Sequence, residues 1–370
     1  MSVDLKNFVD INIKQHVSTS ITGTRETIVL FSTEKLTSDN KTEIIVNSND
    51  FLTKLDSGAI NTLRYLNIYF ANGGVKACII HKDNITDIDK NTIASLPDEY
   101  IVITCVDTDT KAAGYTQMKK LAKEFNADSS IYGINEKIFL ATTNSTDDNE
   151  KIKNFGVKYS NTLGAEMTMA AYLSKVNVYG TDNIFDYMFT IENETDETNN
   201  PIFIANIDDD TYQAIINNNM NVDILLAGAI RNCGGNLKDG ADLINQYCLI
   251  ILHQTLTNRL IDLLSTKIKN SSGLSKIYSV CAQELGYYLT SGYLTTDKVW
   301  KEPDLTVNYN NETFTIIEKG TALTDGYLIR ILPYTSLTDQ DISDHKTPPI
   351  YIILGSQYGI RKITINGEVI

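Results

Sequence analysis

Between residues 26 and 142, short apolar runs alternate with longer amphipathic stretches, and this rhythm is the strongest constraint on the fold. Glu26–Phe31 reads as a buried strand, and Val75–His81, Tyr100–Val106 and Lys137–Thr142 read as further strands. Asn49–Leu55, Ala59–Ala71, Asp87–Leu96 and Lys111–Phe125 read as the helices between them, the first capped by Asn49. Asn72-Gly-Gly74 supplies a glycine stop to the second helix. Strands that alternate with helices predict a mostly parallel α/β sheet.

After residue 145 the rhythm breaks. Gly164–Ser174 is helical, Glu194–Asn200 is an acidic exposed loop between Tyr187–Asn193 and Pro201–Asn206, Asp209–Asn219 is a short helix and Val222–Ala227 a strand. Arg231–Gly240 reads as a glycine-rich connector. A long helix then spans about Ala241 to Lys267, and Asn270-Ser-Ser-Gly273 separates it from a second, Leu274 to about Thr290, predicting an antiparallel pair. From Trp300 onward helical signal is absent, and Leu305–Tyr309, Thr313–Ile317, Tyr327–Leu332, Pro349–Leu354 and Arg361–Val369 read as strands. The expected organisation is an arm over 1–20, an α/β unit over 21–145, a mixed unit with the helix pair over 146–299 and a β-rich unit over 300–370. The expected class is thus α/β, or α+β over the whole chain. It combines a parallel-type core, a long helix pair, a β-rich C-terminal region and extended terminal strand arms.

Both ends are strand-like. Val9, Ile11 and Ile13 alternate with Asp10, Asn12 and Lys14, and Ile363, Ile365 and Val369 share one face of the final segment. A strand at a terminus needs a sheet edge, in its own chain or in a neighbour. These six residues are the candidate site residues, as connectors between subunits.

The chemistry-bearing residues give no active site. Lys and Arg number 32 against 46 Asp and Glu, a net charge of −14, which disfavours binding to nucleic-acid phosphates. The five cysteines (Cys78, Cys105, Cys233, Cys248, Cys281) form no CxxC pair and read as buried thiols in a reducing compartment. His16, His81, His253 and His345 form no metal-ligand spacing, and His253 falls inside the long helix as a core residue. Asn72-Gly-Gly74 and Cys233-Gly-Gly235 match neither dinucleotide nor phosphate loop. Asp208-Asp-Asp210 precedes a helix start and reads as a cap rather than a divalent-metal ligand set. No catalytic residue, cofactor or metal is expected. The first residues carry no apolar secretory stretch, and no window is apolar enough to span a membrane.

Three stretches carry a family resemblance. They are Phe8–Ile13 with the Thr24–Phe31 strand, Asn258–Lys267 with Gly273 and Gly286–Leu294, and Pro348–Gly355 with Gly359–Gly367. In these the chain resembles contractile tail sheath proteins of bacteriophages, especially the sheath-like branch of some myoviruses. More distantly it is similar to the sheaths of R-type bacteriocins and type VI secretion systems. The resemblance implies a non-enzymatic subunit that forms homo-oligomeric, hexameric rings stacked around an inner tail tube protein, with baseplate and terminator proteins as further partners. It implies assembly in the host cytoplasm into a virion tail, strand exchange between subunits and contraction that drives genome ejection. Two alternatives stand beside it. One is a cytoplasmic α/β enzyme, whose polar groups would converge at the carboxyl ends of the parallel strands. The other is a different tail or baseplate structural protein.

Overall fold

The computed structural model describes residues 27–37, 41–47, 50–107, 111–127, 136–180, 187–188, 207–226, 228–264 and 270–357. In chain order the elements are β1 (Thr27–Ser32), β2 (Thr42–Ile45), α1 (Phe51–Lys54), α2 (Ile60–Ala71), β3 (Lys76–His81), α3 (Lys90–Ala94), β4 (Val102–Cys105) and α4 (Lys111–Ala127). Then follow β5 (Ile138–Thr143), β6 (Phe155–Tyr159), α5 (Met167–Ser174), α6 (Asp209–Asn217), β7 (Asn221–Leu226) and β8 (Ala229–Cys233). The chain continues through α7 (Leu243–Leu264), α8 (Asn270–Thr290), β9 (Leu305–Tyr309), β10 (Glu312–Ile317), β11 (Tyr327–Ile331), α9 (Asp339–Ser343) and β12 (Ile350–Leu354).

The core is an eight-stranded sheet in the order β2-β3-β1-β4-β5-β6-β7-β8. From β3 to β7 the strands run parallel, and the two edge strands β2 and β8 run antiparallel to their neighbours. Successive residues of a strand face opposite sides, and the core divides accordingly. Ile28 and Leu30 of β1, with Ile138 and Leu140 of β5, enter one apolar cluster together with α2, α5, α7 and α8. Val29 and Phe31, with Phe139 and Ala141, enter the other, under α3, α4 and α6. Burial on both faces explains the unbroken apolar runs that mark these strands in the sequence.

Strands β6 to β8 join this same sheet from beyond residue 145, and β6 was absent from the sequence reading. Its connection from β5 carries no helix. Residues 144–154 instead lie against α4, where Lys119 reaches Asp148 at 2.6 Å and Lys123 reaches Glu150 at 2.5 Å. Lys238 secures the same stretch from beneath, its ammonium donating to the carbonyls of Asp148 (2.6 Å) and Asn218 (2.8 Å).

Four local expectations are corrected. The predicted helix Asp87–Leu96 is only α3, because Asp89 accepts the Thr92 N–H at 2.8 Å and so starts the helix three residues late. The Arg231–Gly240 connector contains the end of β8, paired to β7 through Asp223↔Asn232 and Val222↔Cys233. Asn270-Ser-Ser-Gly273 is helical rather than a turn, forming the first turn of α8. Helix α9 interrupts the β-rich region: Thr338 and Asp341 form a reciprocal capping box, enough to start one turn of helix. Asn49, proposed as a cap, lies outside the described residues.

The glycine stop after α2 is as read from the sequence: Gly73 has φ of +80°, and the Gly74 N–H returns to the Tyr69 carbonyl at 2.9 Å. The two long helices are antiparallel, since Arg259 of α7 meets Glu284 of α8 while Cys248 meets Tyr293 just past the end of α8. Among the described residues there are two smaller sheets, the β9–β10 hairpin and the antiparallel pair β11–β12, with β11 seated on α8. No helix among the described residues is long and apolar enough to cross a membrane.

Candidate functional site

In a parallel α/β sheet a ligand normally binds where the strand order reverses, at the carboxyl ends of the strands. Here that point lies between β1 and β4, since the chain runs from β1 to β3 on one side and to β4 on the other. Polar groups do converge there. Glu166, the residue before α5, is buried and accepts from the Thr104 hydroxyl at 3.0 Å and from the Thr142 hydroxyl. Its own N–H donates back to Thr142 Oγ1 at 3.0 Å. Asp107 accepts the Gly114 N–H at 3.0 Å, and its own N–H donates to the Tyr65 hydroxyl at 3.2 Å. Gly114 lets α4 come this close, because a Cβ there would meet Asp107 Oδ2 and Cys105 Sγ at 3.2 Å.

These groups bond to one another and leave a cavity of about 10 Å3, lined by Tyr65, Cys105, Asp107, Thr142 and Glu166 among others. That is room for about one water molecule, whereas small-molecule sites run to hundreds of Å3. Burial pushes the Glu166 carboxyl up against the hydrogen bonds from Thr142 and Thr104 that lower it. Burial likewise raises the Tyr65 hydroxyl and the Cys105 thiol, the latter far out of nucleophilic range. The convergence that an enzyme requires is present, but it is packed as a structural knot with no space for a substrate.

The other sequence candidates also have structural roles. Asp208 caps α6, accepting the Thr211 N–H at 2.7 Å. All five cysteines are free and buried. Three of the thiols share a hydrogen bond with a tyrosine: Cys78 with Tyr100, Cys233 with Tyr212 and Cys248 with Tyr293. His253 is buried on α7. The sequence reading missed an internal ion pair, Lys158 of β6 with Asp223 of β7 at 2.5 Å, both buried. The Lys158 ammonium also donates to Tyr187 Oη at 2.9 Å and Thr168 Oγ1 at 3.2 Å, so its donors are matched without solvent.

What remains is backbone. Strand β12, Ile350-Tyr-Ile-Ile-Leu354, carries no charge and pairs only with β11 among the described residues. The rung from the Leu332 N–H to the Pro349 carbonyl (3.1 Å) and that from the Gly355 N–H to the Gly326 carbonyl (2.8 Å) fix the phase of the ladder. By that phase Ile350, Ile352 and Leu354 turn their N–H and C=O groups to the free edge. Their side chains pack on the main core, leaving Tyr351 and Ile353 on the outer face opposite Arg330 and Leu328. Among the described residues only the stretch just past β12 is paired, Ser356 with Leu294, and an uncharged edge of this kind is a template for another strand. The six proposed connectors, Val9, Ile11, Ile13, Ile363, Ile365 and Val369, lie outside the described residues.

No protein-family model and no curated protein sequence matches the chain. Solved structures do. The helical sheath of the anti-feeding prophage in its contracted state superposes with a TM-score of 0.65 at 14% identity, over 100% of this chain and 98% of that one. The contracted sheath complex of an extracellular contractile injection system (PVC) gives 0.62 at 13% identity, covering 100% and 96%. The sheath tail protein of Desulfitobacterium hafniense gives 0.52 at 10% identity, covering 78% and 91%. The chain has the contractile-sheath fold. The sheath fold extends from end to end of the two longer matches, so the β-rich region with its open β12 edge belongs to it as much as the eight-stranded sheet does.

Proposed function

We propose that this protein is the structural subunit of a contractile sheath and carries no catalytic role. The observation that bears most on this is the full-length match to a helical sheath, in a chain whose switch-point crevice is filled by its own side chains. In this reading copies stack as hexameric rings around an inner tube, with baseplate and terminator proteins at the two ends. The segments around Val9–Ile13 and Ile363–Val369 leave their own subunit and add to the free edges of β11–β12 in neighbours. Backbone hydrogen bonds then link the rings while the sheet-bearing bodies repack during contraction. The free energy for contraction comes from the difference in packing between the two lattices rather than from a bound nucleotide. The assembled particle is a phage tail or a related injection device built in a bacterial cytoplasm.

Electron microscopy of the purified protein tests the reading: hollow polymers are expected, and discrete small oligomers or monomers would overturn it. Deletion of residues 362–370 is expected to leave a folded protein that forms no tubes. If the truncated chain still polymerises, the strand-exchange part is wrong.

A further inference from the structure

The backbone just past β12 runs against its own local sequence. Gly355-Ser356 follows the apolar run Ile350–Leu354, and Gly-Ser at the end of a strand is a two-residue hairpin signal. The phase suits such a turn, since Leu354 directs its N–H and C=O groups away from β11, to the side where a returning strand would bond. A hairpin there would lay residues 357–361 back along Leu354–Ile350 and seal the edge of β12 within the chain. The structure does not make it. Gly355 lacks the positive φ that a type II′ turn demands of its first residue, and Ser356 continues the line of β12 in an antiparallel bridge to Leu294.

Backbone bonds from two segments hold this stretch straight. The Gly355 N–H donates to the Gly326 carbonyl at 2.8 Å, and the Gly355 carbonyl accepts the Thr295 N–H at 2.9 Å. The Gln357 N–H then donates to the Tyr293 carbonyl at 3.0 Å. Residues 293–295 follow closely on α8 and are tied to its last turn, because the N–H groups of Tyr293 and Leu294 both donate to the Tyr288 carbonyl, at 3.0 and 3.1 Å. Tyr293 and Leu294 are buried in the main core, so the clamp belongs to the helix-pair body. The approach at Gly355 is close: a Cβ would stand 2.8 Å from the Thr295 carbonyl oxygen and 3.0 Å from that of Gly326. Glycine serves here to let three backbones meet, and its freedom to turn is not used.

We infer that residues 293–295 act as a clamp against self-pairing, which keeps the chain past β12 from folding back on its own edge and leaves that edge to a neighbour's strand. The inference rests on strand exchange as the mode of assembly. A segment joined to the edge by a two-residue turn has an effective concentration in the millimolar range, which a strand from another copy at lower concentration does not match. With the clamp closed, self-sealing requires the Thr295–Gly355 and Tyr293–Gln357 bonds to break first, and the neighbour's strand gains the advantage.

Hydrogen exchange with mass spectrometry, on full-length chain too dilute to assemble, reads the edge through peptides that contain the edge-facing amides of Ile350, Ile352 and Leu354. In the parent these amides are expected to exchange freely. Their protection in the dilute monomer would show an edge already sealed and overturn the proposal. Gly355→Asn with Ser356→Gly writes the stronger Asn-Gly hairpin signal and sets a side chain against the Thr295 carbonyl. That variant is expected to slow exchange at the edge at least tenfold and to form no tubes. Unchanged exchange, in a variant that still unfolds cooperatively, would overturn the proposal. Leu294→Cys with Ser356→Cys does the converse, locking the clamp by a disulfide between two directly opposed residues, the five native thiols being buried. The oxidised form is expected to make tubes as the parent does. Tubes that appear only after reduction would mean that the clamp opens for assembly, which overturns the proposal. A parent chain that forms no tubes, with an edge that exchanges freely and that the Asn-Gly variant protects, would sink the sheath reading and leave the clamp standing.

Discussion

The carboxylate of Glu34 accepts both the backbone N–H of Thr62 at 2.7 Å and its hydroxyl at 2.6 Å. The other carboxylate oxygen accepts the Asn61 N–H at 3.1 Å and its side-chain amide at 3.0 Å. Helix α2 has no side-chain cap of its own at Ala59, so a loop residue far upstream satisfies the free N–H groups of its first turn. Glu34→Ala is therefore expected to destabilise the fold by about 1–2 kcal/mol, the usual cost of a lost cap. Glu34→Gln, which keeps one acceptor, is expected to lose less. Denaturant unfolding of the two variants against the parent chain checks both.

That cap also marks where the sequence stops being legible. Strands β1, β3, β4 and β5 could be read because burial on both faces writes an apolar run. Strand β6, Phe155-Gly-Val-Lys-Tyr159, could not. Its glycine leaves room for two side-chain ends, since a Cβ at Gly156 would stand 2.7 Å from Leu140 Cδ2 and 2.9 Å from Met169 Cε. Its lysine is buried only because Asp223 arrives from β7 to pair with it. Both reasons lie in tertiary partners that no local window contains. Glu166 was missed for the same cause, since its threonine donors come from two different strands. In contrast, β11 and β12 were legible as strands, but the freedom of their edge is a property of topology. The connectors Ile363 and Ile365 remain a reading of alternation alone.

The Lys158–Asp223 pair gives a sharp stability test. Removing one charge leaves the other buried between β6 and β7 without its counter-ion, a change that typically costs about 3–5 kcal/mol. Asp223→Ala is expected to fall in that range. Lys158→Met with Asp223→Leu, which removes both charges at similar volume, is expected to recover most of the loss. A double-mutant cycle by chemical denaturation measures the difference.

Glu166 should leave a signature in the pH dependence of stability. Its carboxyl is raised in the folded state, so the folded chain holds a proton that the unfolded chain releases. The favourable contribution is therefore complete below the ordinary carboxylate range and is lost as pH rises through the folded value. Tyr65, Cys105 and Asp107 face this group, and Asp107 adds to the upward shift. Glu166→Gln cannot ionise, so relative to it the parent chain should lose stability as pH rises above the ordinary carboxylate range. Parallel slopes for the two proteins over that rise would exclude Glu166 as the titrating group.

Lys137 has the opposite sign at the other end of the scale. It is buried at the start of β5, where burial lowers its ammonium to about 8 while it donates to the carbonyls of Pro97 (3.1 Å) and Asp98 (3.3 Å). Above that pH the folded chain has released a proton that the unfolded chain still holds. Stability should therefore rise with pH from about 8 toward the ordinary lysine value, with a slope of up to ~1.4 kcal/mol per pH unit. Lys137→Met lacks this contribution, so the difference between the two unfolding curves, followed from pH 7.5 upward, isolates it from the tyrosines that titrate in the same region.

The edge of β12 yields the last test, and it bears directly on assembly. A charge placed beside a free strand edge is the common device by which proteins keep such edges from pairing. Ile353 lies on the outer face of β12, opposite Leu328, and its backbone bonds point inward to β11. Ile353→Lys therefore leaves the existing ladder and the core-facing side chains Ile350, Ile352 and Leu354 in place. An incoming strand would have to lay its own outward side chains against that ammonium, at a position where the native chain offers a hydrophobic neighbour. The variant is expected to remain folded, within about 1 kcal/mol of the parent by thermal unfolding, while tube formation falls steeply. Lys346, the nearest lysine before β12 in the sequence, is held by Asp341 at 3.0 Å and Asp344 at 3.2 Å, so it does not already blunt this edge. Sedimentation and electron microscopy at matched concentrations read the outcome, and tubes formed as readily as by the parent chain would show that β12 is not the edge that receives a neighbour's strand.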